Sequence, residues 1–237
     1  MILAQTLMEL RLTLRRGESL LLTLVIPLGL LAFFGTVDVV DVTLDQLVPG
    51  IVALAVMSTS MTGLAIATGF ERSYGVLKRL GATPLSRTSL MVAKTLSVLA
   101  VQALQVALIL GLGLLLGWRT SSGARGAILL VLLVALGTAA FAGIGLLMAG
   151  TLRAEATLAA ANGLYLVLLL VSGMVVPLAS LPSGLRTVAR LLPSGALVEG
   201  LEAALTNDGP LVRSATVLLV WAAVALAAAA RSFRWEP

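Results

Sequence analysis

Six stretches of this 237-residue chain contain no Lys, Arg, Asp or Glu: 20 to 37, 48 to 70, 95 to 117, 126 to 150, 157 to 178 and 214 to 230. They are between 17 and 25 residues long. An α-helix rises about 1.5 Å per residue, so runs of this length cross, or nearly cross, a hydrocarbon layer about 30 Å thick. Backbone polar groups in lipid must be satisfied within the segment, which restricts such runs to helices. The residue pattern therefore predicts an all-α polytopic membrane protein, with six transmembrane helices in a single domain spanning 1 to 237. With 59% hydrophobic and 11% charged residues, the chain has more apolar surface than a soluble core can bury.

The residue types that are missing limit the chemistry. There is no Cys and no His, which removes disulfides, thiolate nucleophiles, imidazole bases and Cys/His metal sites. No phosphate-binding glycine loop, H-E-x-x-H or G-x-S-x-G motif occurs. Every acidic residue falls in a connection or a tail, so no carboxylate pair is expected inside the membrane and a membrane hydrolase is disfavoured. An enzyme is not expected, nor is a cofactor bound by this chain. The formal charge of +5 suggests no nucleic-acid partner, because the basic residues gather at the ends of the apolar runs.

Their distribution predicts orientation. With a cytoplasmic N-terminus, the inner segments hold Arg11, Arg15, Arg16, Arg72, Lys78, Arg79, Arg87, Lys94, Arg153, Arg231 and Arg234, and the outer ones only Arg119, Arg125, Arg186, Arg190 and Arg213. The first outer loop carries three Asp, including Asp41, and no basic residue. Both termini are thus expected in the cytoplasm. A cleaved leader is the alternative for the arginine-rich start, but no A-x-A-like site closes the run. Segment 3 to 16 places Leu3, Leu7, Leu10 and Leu14 at helical spacing with Glu9, Arg11 and Arg15 elsewhere, as expected of a helix lying on the inner leaflet.

Two connections stand out. Between the second and third runs, Tyr74, Leu77 and Leu80 recur at i, i+3 and i+6, surrounded by Arg72, Lys78 and Arg79. Gly81 is placed to end this short helix, Thr83-Pro84 to turn the chain, and Ser86 to cap the next helix. A short amphipathic helix joined to two spans is a mechanical lever. The competing reading is a positively charged loop against lipid head groups. Between the fifth and sixth runs, segment 177 to 213 carries Pro177, Pro182 and Pro193, with Arg186 and Arg190 before and Glu199 and Glu202 after the last proline. Two short helices broken by proline are expected, forming either a re-entrant outer cap or an exposed loop.

The run Glu71-Arg72-x-x-Gly75-x-Leu77-Lys78-Arg79-Leu80-x-x-Thr83-Pro84-Leu85-Ser86-Arg87, with Lys94 beyond it, resembles the cytoplasmic-loop signature of type-2 ATP-binding-cassette exporter permeases, the daunorubicin-resistance-like membrane subunits. Ser172-Gly173-x-x-x-Pro177-x-x-x-Leu181-Pro182, Leu192-Pro193 and Glu199-Gly200 are similar to their outer segment, and Pro27 with Phe34-Gly35 also fits. The acidic Glu199 and Glu202 depart from a pattern expected to be basic there. The resemblance implies two permeases, this chain with an identical or related copy, in a bacterial cytoplasmic membrane. It also implies two separate ATPase subunits that bind ATP and Mg and push on the 71 to 94 coupling segment, through Glu71, Arg72, Tyr74, Gly75, Leu77, Lys78, Arg79, Leu80, Pro84 and Arg87.

The expected function is therefore export of a hydrophobic or amphiphilic compound, drug-like or lipid. A glycan exporter is a less favoured relative, because only ten aromatic residues occur. An ion-coupled carrier and a membrane scaffold are the alternatives from other classes. Gln102, Gln105 and Asn162 are the polar residues within the runs that either touch substrate or bond helix to helix.

Overall fold

The computed structural model describes residues 2–15, 17–37, 43–120, 122–174, 178, 181–207 and 209–234, with the helix alone described over 17–22. Pro177, Asp41 and Arg16, each given a part above, lie outside the described residues. The chain order is α1 (Ile2–Arg15), α2 (Gly17–Thr36), α3 (Leu44–Met57), a π-helical segment (Ser58–Gly63), α4 (Leu64–Ser73), α5 (Val76–Gly81), α6 (Arg87–Leu115), α7 (Gly123–Thr151), α8 (Ala154–Val171), α9 (Ser183–Leu191), α10 (Pro193–Thr206) and α11 (Leu211–Ser232). No strand occurs among the described residues.

Among the described residues, five helical runs are long and apolar enough to cross a membrane: Leu44–Ser73, Arg87–Leu115, Gly123–Thr151, Ala154–Val171 and Leu211–Ser232. α2 is a further helix of 20 residues, in which the described part Thr23–Thr36 is apolar. The boundaries differ from expectation for local reasons. Glu71 and Arg72 are still helical in α4, and Arg87 to Lys94 already belong to α6, so the connection between them is only 74–86. The fifth run stops at Val171 rather than at 178. There the Ser172 hydroxyl donates to Leu169 O (2.8 Å) and accepts from Met174 N (3.1 Å), and Gly173 takes φ +88°, a conformation that costs glycine little.

α7 is the central post. It meets α11 along small residues: a β-carbon on Gly143 would sit 2.8 Å from both Ala225 Cβ and Leu226 N. On another face, a β-carbon on Gly145 would lie 2.7 Å from the carbonyl oxygen of Met61 in the π-helical segment. Close approach of this kind replaces the hydrophobic drive that lipid cannot supply between helices. The main buried cluster runs through α3, α7 and α10, including Val52, Met57, Phe141 and Leu197. A second, smaller cluster of Leu77, Leu85, Leu90, Leu146 and Phe233 closes the end of the bundle where α5 lies. α9 and α10 close the opposite end, since they join the far ends of α8 and α11.

Candidate functional site

At the α5 end, the backbone turns out of α4 at Tyr74 and passes through Gly75 at φ +72° before α5 begins. A side chain with a β-carbon would be strained at that angle. The turn splits the expected stripe of Tyr74, Leu77 and Leu80. Tyr74 precedes α5 and is 73% exposed, whereas Leu77 is 0% exposed and packs with Leu85, Leu90 and Phe233. Leu77 is thus an anchor inside its own chain rather than part of an outward stripe, and Leu80 is half-buried against the same cluster. The Ser86 hydroxyl accepts from Ser89 N at 3.1 Å and caps α6. Lys78, Arg79, Pro84 and Arg87 are exposed.

Beneath this turn lies a buried ionic group that composition alone does not disclose. Lys94, 1% exposed, donates from Nζ to Glu71 Oε2 (2.6 Å) and Glu9 Oε2 (2.9 Å). One cation therefore joins α1, α4 and α6. Gln5 Nε2 donates to the other Glu9 oxygen at 2.9 Å. Arg72, also buried, turns inward to donate to the carbonyl oxygen of Leu152 between α7 and α8, and is no part of a basic rim. α1 keeps its leucine face outward, and only Glu9 departs from the expected arrangement. Glu9 points into the protein, and Leu3, Leu7 and Leu14 point away from it.

At the opposite end, α2, α3, α8, α9 and α10 enclose a cavity of about 550 Å³. Its walls are largely apolar, with Gln46, Tyr165, Arg186, Arg190, Glu199 and Glu202 as the polar groups. Pro182 and Pro193 stand at the N-terminal boundaries of α9 and α10. Glu199 is held by two arginines, accepting from Arg190 Nε at 2.9 Å and from Arg213 Nη2. Arg186 donates to the carbonyl oxygen of Leu181 at 2.9 Å. Burial, with help from the neighbouring Glu199 charge, pushes the Glu202 carboxyl up to about 7.

A long-range comparison fits this architecture. Residues 38–231, from ahead of α3 to the end of α11, match the family described as ABC-2 family transporter protein. The chain belongs to the ABC-2 transporter family. No curated protein matches it. An ABC-2 permease is a multi-pass membrane protein, and the five long apolar helices serve that role here.

Within the bundle of this ABC-2 permease, the three polar residues singled out from sequence are dispersed. Gln102 donates to Val56 O (3.1 Å) and accepts from the Thr138 hydroxyl. Gln105 donates to Thr23 O (2.7 Å) and accepts from Thr59 Oγ1 (3.2 Å). Both amides are therefore spent on α2, α3, α7 and the π-helical segment, and neither lines the cavity. Asn162 is exposed on α8 and donates to Leu158 O of its own helix at 2.9 Å. The Glu9–Lys94–Glu71 group escaped residue-level reading because its members are far apart in sequence. The one available signal was a lysine placed about two turns inside a helix that carries no other charge between Arg87 and Leu115.

Proposed function

We propose that this chain is the membrane-spanning permease of an ATP-driven exporter, of the daunorubicin-resistance-like type, moving a hydrophobic or amphiphilic compound out of the cytoplasm or inner leaflet. In this reading it works with a second permease, identical or related, and with two ATPase subunits that bind ATP and Mg. ABC-2 permeases usually pair with such a subunit. The α5 end faces the cytoplasm of a bacterium together with both termini, and the α9–α10 end faces outward. The observation that carries the proposal is the construction of the 74–86 turn. Tyr74, Lys78, Arg79, Pro84 and Arg87 form an exposed surface on a turn held from beneath by buried Leu77 and by the ion group that joins α1, α4 and α6. A partner that presses on this surface moves three helices together.

The test separates the surface from its support. Burying a tyrosine at an interface contributes roughly 1.5 to 3 kcal/mol, and a solvated ion pair about 0 to 1. Tyr74→Ala should thus lower association with the ATPase by about tenfold or more while leaving the permease folded, and Lys78→Ala should have a smaller effect. Leu77→Asp should instead unfold the turn and reduce the yield of folded protein. Co-purification with the ATPase and ATP-dependent transport are the readouts. Full ATPase association and full transport by a Tyr74→Ala, Arg79→Ala variant would reduce the turn to a topological signal.

A further inference from the structure

α1 presses a polar side against the protein and turns an apolar one away from it. Its buried residues are Thr6 and Glu9, and Glu9 is bonded to Lys94 and Gln5. On the outer side stand Leu3, Leu7, Met8, Leu12 and Leu14, each between 41% and 72% exposed. Arg11 and Arg15 are exposed as well, and among the described residues neither forms an ion pair. Glu9 is the one acidic residue between Ile2 and Arg15. Its engagement by Lys94 therefore strips negative charge from the outer side, and the two arginines stand there unopposed within the helix. α1 packs on α6, at the bundle end where α5 lies, and precedes the residues 38–231 that match the family.

A row of exposed leucines is costly against water and not against hydrocarbon. The ends of membrane-spanning helices lie at the boundary between the two, where an arginine keeps its methylenes among acyl chains and its guanidinium among head groups. Every phospholipid offers a phosphate there, but a zwitterionic one also brings a cation that repels arginine. An anionic lipid brings none. We propose that the outer side of α1 is a docking surface for anionic phospholipid, with the leucines against the acyl chains and Arg11 and Arg15 on the phosphate. Two adjoining features match the two parts of one lipid, positive charge for its head and apolar surface for its tail. The surface belongs to this chain alone and does not rest on the exporter reading.

The chain has no Cys, so a single Leu7→Cys substitution carries a bimane fluorophore to the outer side of α1. The purified full chain is reconstituted into phosphatidylcholine bilayers holding about one-fifth phosphatidylglycerol, with quenching bromine atoms on the acyl chains of one lipid or the other. The two quenching curves should place phosphatidylglycerol at the label about threefold above its bulk share. Arg11→Gln with Arg15→Gln should return it to the bulk share. Salt at about 0.5 M should lower it in the same direction with the arginines in place, and this arm decides if the double variant fails to fold. A label carried by Val224→Cys, at an exposed position of α11, should report the bulk share throughout. No quenching by either lipid at Leu7→Cys would mean that protein covers the leucines, and would overturn the proposal. A bulk share at Leu7→Cys, equal enrichment at Val224→Cys, or enrichment that survives both salt and loss of the arginines would overturn it as well. None of these outcomes bears on ATPase association or transport, so the exporter reading stands or falls separately.

Discussion

Lys94 shows how one side chain can decide the arrangement of three helices. An ammonium group with almost no exposure is tolerated because two carboxylates reach it at 2.6 and 2.9 Å, and those carboxylates would be as costly without it. Lys94→Met should therefore destabilise the protein by about 3 to 5 kcal/mol, since it leaves Glu9 and Glu71 facing each other in a buried site. Replacing all three by uncharged residues of similar shape, Lys94→Met with Glu9→Gln and Glu71→Gln, should recover much of that loss. Thermal unfolding in detergent distinguishes the two. Recovery of stability without recovery of ATP-dependent transport would assign the group to coupling, and recovery of both would assign it to folding alone. The sequence shows each of these residues but not their meeting, because Glu9 and Lys94 are 85 positions apart.

At the scale of elements, the helices follow from apolar length, and their packing follows from where side chains are absent. Gly143 and Gly145 set the approach of α7 to α11 and to the π-helical segment. Gly143→Val would force a branched side chain into Ala225 and the α11 backbone, a form of overpacking that costs about 1 to 3 kcal/mol. Gly163 on α8 has nothing within 4 Å of its missing β-carbon, so Gly163→Ala should be neutral or stabilising by up to about 1 kcal/mol. A melting temperature lowered equally by both changes would contradict this account of the α7 contacts. The π-helical segment was not legible in advance. It forms where the Ser58-Thr59-Ser60-Met61-Thr62-Gly63 run is weak in helix preference, just after Val56, whose carbonyl oxygen accepts from Gln102 of α6.

At the scale of the whole molecule, two candidate surfaces lie at opposite ends of one bundle. The 74–86 turn is at one end and the cavity under α9 and α10 at the other. The proposed orientation predicts that a Cys introduced at Arg87 is labelled only from the cytoplasm and one introduced at Arg186 only from outside. The native chain has no Cys to interfere, so labelling of intact cells at 87 but not at 186 would invert the topology. Charge-free length determined the membrane class and the all-helical fold from sequence alone, because the rise per residue and the obligation to satisfy the backbone in lipid are local rules. The same local rules place the Ser86 cap and the proline boundaries of α9 and α10. Only the tertiary structure decided which faces those helices bury. It turned Leu77 and Glu9 inward, used Gln102 and Gln105 as links between helices, and set Glu202 in the cavity wall beside Glu199. Such outcomes depend on partners brought together from distant segments, and on the cost of leaving a charge or an amide unmatched once water is gone.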